Sequence, residues 1–266
     1  MHIELVSFSA TAPGTGAAAT AFTGDSLTIK NSRGPARVLA HWGQQQATGY
    51  QQIVYPSGHD TTRNWRTVVL ANNSVPRNVL GTPWWIQPQE LMTITIAGSA
   101  TAGDVELGHL LLEYDDLPGV NSRLTDWDTL LRRAEKQLTI QVTMNAGATV
   151  PGYVATELIN ADSDLMMANR DYAIVGIETT TRVGALWLAG PDTGNVKIGV
   201  PGEINEPSLT GNWFAMLSRA YNRKLIPVIN SGNRASTTIG LAIDENGTAT
   251  VASLNLILLR KAGSDD

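Results

Sequence analysis

The chain has 266 residues, enough for one large or two ordinary domains with a sizeable core. Only 16% of them are charged, the net charge is −5 and there is no cysteine. Dedicated nucleic-acid binding is disfavoured by that balance, and disulfide frameworks, zinc ribbons and thiol nucleophiles are excluded by the missing thiols.

The 25 glycines and 12 prolines suit a β-protein with many tight turns. No apolar run approaches the ~18 residues of a membrane span. The start, "MHIELVSFSATAPGTGAAATAF", has no basic segment before an apolar core, so it makes a poor secretion signal and a cytoplasmic site of synthesis is expected. Residues 10–22 read as a flexible arm, because "APGTGAAA" carries glycine but lacks the lysine of a phosphate loop.

Strand signals then follow one another: "LTIK" from Leu27, "YQQIVY" from Tyr50, "WRTVVLA" from Trp65, "LMTITIAG" from Leu91 and "VELGHLLLEY" from Val105. In "LMTITIAG" the period of two places Met92, Ile94 and Ile96 on one face, which belongs in a core. "DDLPGVNS", from Asp115, is a linker by composition. The next stretch, "LTDWDTLLRRAEKQL", predicts a helix capped by Thr125 or Asp126. Its apolar stripe is Trp127, Leu130, Leu131, Ala134 and Leu138, with Arg132, Arg133 and Lys136 late in the helix, where cations suit its dipole.

Beyond it the β pattern resumes with "LTIQVTM", "YAIVGIETTT", "ALWLA", "NVKIGV", "NWFAMLS", "STTIGLAI" and "TATVASLNLILLR". "DENGT", from Asp244, predicts a hairpin turn, since Asn-Gly takes the positive φ values of a type I′ turn.

The two halves align. "GYQQIVYPSG" and "GALWLAGPDTG" both carry a proline seven residues after the first glycine, pairing Gly49 with Gly184 and Pro56 with Pro191. "VLAHWGQQQATG" matches "IVGIETTTRVG", "TPWWIQP" falls where "GNWFAML" falls, "LMTITIAG" matches "TTIGLAI", and "LGHLLLE" matches "LNLILLR". The expected fold class is therefore all-β: two tandem eight-stranded jelly-roll sandwiches joined by a linker and one short helix. The boundaries are 1–118 for the first sandwich, 119–137 for the linker and helix, and 138–266 for the second.

On these paired figures, on the aromatic pairs Trp84-Trp85 and Trp213-Phe214, and on the closing strands at Leu107 and Leu254, the chain resembles the double jelly-roll major capsid proteins of tailless icosahedral phages, the tectiviruses and corticoviruses. The resemblance is architectural and spans nearly the whole chain. It implies a homotrimeric, pseudo-hexameric capsomer in a virion assembled in the host cytoplasm. It also implies partners among minor capsid or vertex proteins and an internal membrane, and no sequence-specific nucleic acid. There are two departures from that family. The chain is short, so surface towers are not expected, and its N-terminus is not a basic amphipathic helix that would touch the membrane.

No catalytic, cofactor or metal site is expected. His2, His41, His59 and His109 lack metal-ligand spacing, and His59-Asp60 sits in a Gly/Ser turn where the carboxylate bonds local backbone. His109 reads as a packed or interface histidine. Asn160, Asp162 and Asp164 alternate as calcium ligands do, but the glycine and distal glutamate of such loops are missing. Asp115-Asp116 and Asp265-Asp266 read as solvated. Neither a nucleophile elbow nor a phosphate loop is present.

Trp42, Trp65, Trp187 and Trp213 are placed in strands as core residues. Of two consecutive tryptophans on a strand one must point outward, so Trp84 and Trp85 are assigned to subunit contacts, with Phe22, Arg132 and Arg133. The rival reading is a tandem β-sandwich that binds glycan, or serves as a phage receptor-binding module, through an exposed tryptophan.

Overall fold

The computed structural model describes residues 2–11, 20–21, 23–24, 35–45, 49–54, 65–69, 84–88, 90, 93–97, 105–114, 122–145, 152–204, 206–243 and 249–261. The architecture is all-β. In the first half the strands are β1 (His2–Thr11), β2 (Thr20–Ala21), β3 (Thr23–Gly24), β4 (Ala36–Gln45), β5 (Gly49–Val54), β6 (Trp65–Val69), β7 (Trp84–Ile86), β8 (Thr93–Ala97) and β9 (Val105–Tyr114). The second half holds β10 (Leu124–Thr125), α1 (Trp127–Arg133), β11 (Ala134–Asn145), β12 (Gly152–Glu157), β13 (Asp171–Thr179), β14 (Val183–Ala189) and β15 (Ile198–Gly202). It continues with α2 (Pro207–Thr210), α3 (Trp213–Tyr221), β16 (Ile226–Asn230), β17 (Thr238–Ile243) and β18 (Ala249–Leu259).

Each half makes two antiparallel sheets. The first half has the orders β3-β1-β9-β4-β7 and β2-β8-β5-β6; the second has β10-β16-β13-β18-β11 and β12-β17-β14-β15. With the two-residue edge strands β3 and β10 set aside, the orders are the same. The pairing is nested in both: β1 with β9, β2 with β8, β4 with β7 and β5 with β6 in the first half, and β11 with β18, β12 with β17, β13 with β16 and β14 with β15 in the second.

The two halves pack on each other. β9 is buried on both of its faces from Glu106 to Tyr114. Its own half covers one face: Gln51 of β5 donates to Leu107 O at 2.7 Å. On the other face Ile3, Leu5, Ala40, Trp42 and Leu111 join the core of the second half. There β1 runs beside β15, and Leu5 N donates to Lys197 O at 2.7 Å. A face that would be solvated in a lone sandwich is thereby apolar and covered.

The glycine of "VELGHLLLEY" has a packing reason. A Cβ on Gly108 would overlap the ring of Phe8 in the neighbouring strand β1.

Three expectations are corrected. The helix ends at Arg133, where Ala134 turns extended with ψ 127°. Residues 134–138 instead begin β11, paired with Leu259 to Leu256 of β18, so the second half starts within the stretch assigned to the helix. "NWFAMLS" is helix rather than strand: α3 spans Trp213–Tyr221, buries Trp213, Phe214, Ala215, Leu217 and Ser218, and stops at Asn222 in the left-handed region. Finally, the Trp84-Trp85 strand corresponds not to Trp213-Phe214 but to β16, by its place in the strand order. β1, β12 and β16 were not among the runs read from the sequence. "LTIK" and "DENGT" lie outside the described residues, as do Asp115-Asp116, Asp265-Asp266 and His59-Asp60.

Candidate functional site

The residues assigned to subunit contacts are not brought together. Trp85 on β7 is 40% exposed, and the Arg37 guanidinium lies 5.9 Å from its ring. Trp84 is in the same strand. Phe22 lies outside the described residues. On α1, Arg132 is exposed and donates to Thr129 Oγ1 at 3.1 Å. Arg133 donates through Nε and Nη2 to Arg260 O, at 3.2 and 2.7 Å, and so ties the helix to the end of β18. The α1 cap is as read: Thr129 N donates to Asp126 Oδ1 at 2.7 Å.

A buried charged group lies at the junction of the halves. Glu113 of β9 is 1% exposed and forms ion pairs with Arg37 of β4 and with Arg223, which follows α3. Tyr221 closes this group. Its ring lies under Arg37, 5.0 Å from the guanidinium carbon, and its hydroxyl donates to Leu39 O at 2.9 Å. Burial pushes the Tyr221 pKa up to about 12, with Arg37 opposing and Glu113 adding to the rise. One buried carboxylate between two guanidiniums, one of them from the other half, is a clamp: it costs desolvation and ties the halves together at that point.

Beside the clamp, Trp42 donates from Nε1 to Gly184 O at 2.8 Å and meets Trp213 edge-on at 5.8 Å between centroids. His109 sits against Trp42 and shares a hydrogen bond of 3.0 Å with Ser7 Oγ. His41 shares one of 2.9 Å with Gln51. Both imidazoles are wholly buried. Burial takes His41 down to about 4 against the bond to Gln51, and takes His109 down to about 3 with help from His41 and Lys197. Both are thus neutral packing groups at pH 7, as expected for His109.

The linker is anchored by the turn "GPDTG". Thr193 Oγ1 receives Gly190 N at 2.9 Å, and Gly194 takes φ 69°. Ser122 Oγ donates to Thr193 O at 3.0 Å and also hydrogen-bonds His2 at the start of β1. Arg123 grips Asp171 through both nitrogens, at 3.0 and 2.6 Å, and reaches Asp192 at 3.4 Å. Asp192 also accepts from Asn230 N and Asn233 Nδ2. Burial works to raise the Asp171 pKa, but hydrogen bonds from Arg123 and Asn230 and the charges of Arg123 and Arg133 outweigh it. The carboxyl titrates below its ordinary value. An open cavity of about 390 Å³ adjoins this cluster, lined by the cations Arg123, Arg133 and Lys224 and by the carboxylates of Asp126 and Asp171.

No catalytic constellation emerges from these groups. Asn160 donates to Thr156 Oγ1, and Asp164 points into solvent, 3.8 Å from Arg234. No group of three or more His, Asp or Glu side chains is placed to hold a metal among the described residues. None of the described helices is long and apolar enough to cross a membrane. Trp42 and Trp213 are core residues; Trp187 is half-buried, with Lys197 above its ring at 5.6 Å.

No protein-family model and no curated protein matches the chain. Among solved structures it is similar to the PBSX exported protein XepA, at 10% identity and a TM-score of 0.28, over 96% of this chain and 86% of that one.

Proposed function

We propose that this chain is a structural shell subunit: a double jelly-roll major capsid protein that assembles as pseudo-hexameric homotrimers into an icosahedral virion. One observation carries the reading, the recurrence of a single nested strand order in both halves. A ribbon whose first strand pairs with its last, and its second with its second-last, winds into two four-stranded sheets. That is the jelly-roll plan of many capsid proteins. Two such modules packed on each other give a brick with an internal repeat, and three bricks about a threefold axis present six similar wedges to a hexagonal lattice. The buried clamp at the junction supports the reading, because a tile must not flex between its halves.

Purified protein tested by light scattering and negative-stain imaging is expected to give trimers and larger closed or sheet-like assemblies. A monodisperse monomer at every concentration tried would overturn the reading. Trp85 is the residue a glycan-binding module would use, so retention on immobilised sugars without assembly would transfer the assignment to that rival.

A further inference from the structure

The second half carries two unlike surface features. One is a projection after β12, built from two 3₁₀ turns, Leu158–Asn160 and Ser163–Leu165. Ile159, Leu165 and Met167 are exposed there, Leu165 by 61% and Met167 by 52%. The projection is not loose. Leu158 and Met166 are buried beneath it, and Asp162 N donates to Gln141 O of the edge strand β11 at 2.9 Å. Met167 donates its N–H to the Tyr172 hydroxyl, and its carbonyl accepts from Ser231 Oγ. A rigid support that holds large apolar side chains in water is the mark of a contact surface. The exposed charges set among them, Glu157, Asp162 and Asp164, are acidic, with Arg234 3.8 Å from Asp164.

The other feature is a groove of about 580 Å³ between α1 and the α2–α3 pair, lined by Trp127, Ser208, Met216, Arg219 and Ala220, among others. Of the residues lining it, Arg219 is the charged one, and it is exposed. Leu131, one turn after Trp127, is 59% exposed on the same helix. The α3 wall packs on β13 and β16, and the α1 wall runs on into β11 at Ala134.

We propose that the Ile159–Leu165–Met167 projection of one copy of this chain seats in the α1–α3 groove of the next. Its carboxylates then face Arg219, and the contact repeats head to tail until the ring closes. A convex apolar feature with exposed carboxylates meets a concave apolar one that carries Arg219, and the two share no residue, as a heterologous contact between copies requires. The inference rests on the shell-subunit reading for the ring it closes, and it names the surfaces that make the ring.

Sedimentation velocity on the full chain and its variants tests it. Leu165→Glu spoils the projection and keeps the groove; Ala220→Glu spoils the groove and keeps the projection. Each alone is expected to sediment as a monomer with an unchanged circular-dichroism melting curve. An equimolar mixture is expected to form a dimer, because one intact projection and one intact groove remain. Arg219→Glu is expected to weaken the ring at least tenfold. If Leu165→Glu disturbs folding, Leu165→Ser takes its place. Wild-type-sized rings from both variants would overturn this contact and leave the shell reading standing. A monomeric wild-type protein would overturn both.

Discussion

A carboxylate oxygen of Glu113 and the Nε of Arg223 meet at 2.5 Å across the junction of the two halves. Glu113 comes from the last strand of the first half, and Arg223 from the turn that follows α3 in the second. Replacing Glu113 by Ala leaves two guanidiniums facing each other in a largely dry space. The expected cost is about 3 kcal/mol, the lower end of the range for breaking a buried pair, because Arg223 keeps some contact with water. Urea unfolding of wild type and variant measures it, and a loss under about 1 kcal/mol would count against the clamp.

Trp42 joins the cores of the two halves, so they are expected to unfold together. Calorimetry of the wild-type protein should show one transition. Trp42→Phe removes the donor to Gly184 O and part of the edge-on contact with Trp213. A loss of about 1–3 kcal/mol is expected, since a buried carbonyl is left without its partner. Two separate transitions in the wild type would contradict the shared core.

The buried histidines set an acid limit. Their folded pKa values, about 4 for His41 and about 3 for His109, lie below the ordinary 6.5. The unfolded chain therefore binds more protons than the folded one between those values. Stability is full above about pH 6.5 and falls as the pH drops, by up to about 1.4 kcal/mol per pH unit for each histidine. Melting temperatures from pH 7 to pH 4.5 should decline less steeply in His109→Gln than in wild type. Parallel curves would show that His109 does not contribute.

Gly108 tolerates no side chain. Gly108→Val would drive a branched group into the Phe8 ring at the centre of the first half, and overpacking of this kind costs about 1–3 kcal/mol or more. Denaturant midpoints of Gly108→Val alone and combined with Phe8→Ala distinguish overlap from backbone preference. If overlap is the cause, the second change recovers part of the loss.

Much of the strand plan was legible because it was written twice. The alignments built on Gly49 and Gly184, on "LMTITIAG" and on the closing Leu107 and Leu254 strands all pair elements that hold equivalent places in the sheets: β5 with β14, β8 with β17 and β9 with β18. The aromatic pair Trp213-Phe214 misled. Trp213 to Leu217 is a continuous apolar run, which taken by itself cannot be told from a buried strand, and the polar side of the helix shows only from Arg219 on. The stretch 134–138, "AEKQL", failed in the other direction. Its residues favour helix locally, but pairing with β18 decides. The contact surfaces were least legible. Exposure of Leu165 and Met167 depends on which side of a 3₁₀ turn faces the core, and nothing in their spacing records it.

The double-sided burial of β9 has one more consequence. Either half alone would present an uncovered greasy wall, so neither can have an independent life, and the contacts across the junction, the Ser122–His2 bond among them, hold the two together. Protease cleavage within residues 115–121 should leave two fragments that co-migrate on a native column and part only in denaturant. The peptide joining them would then act as a matchmaker, raising the odds of first encounter during synthesis, and not as the bond that sustains the marriage.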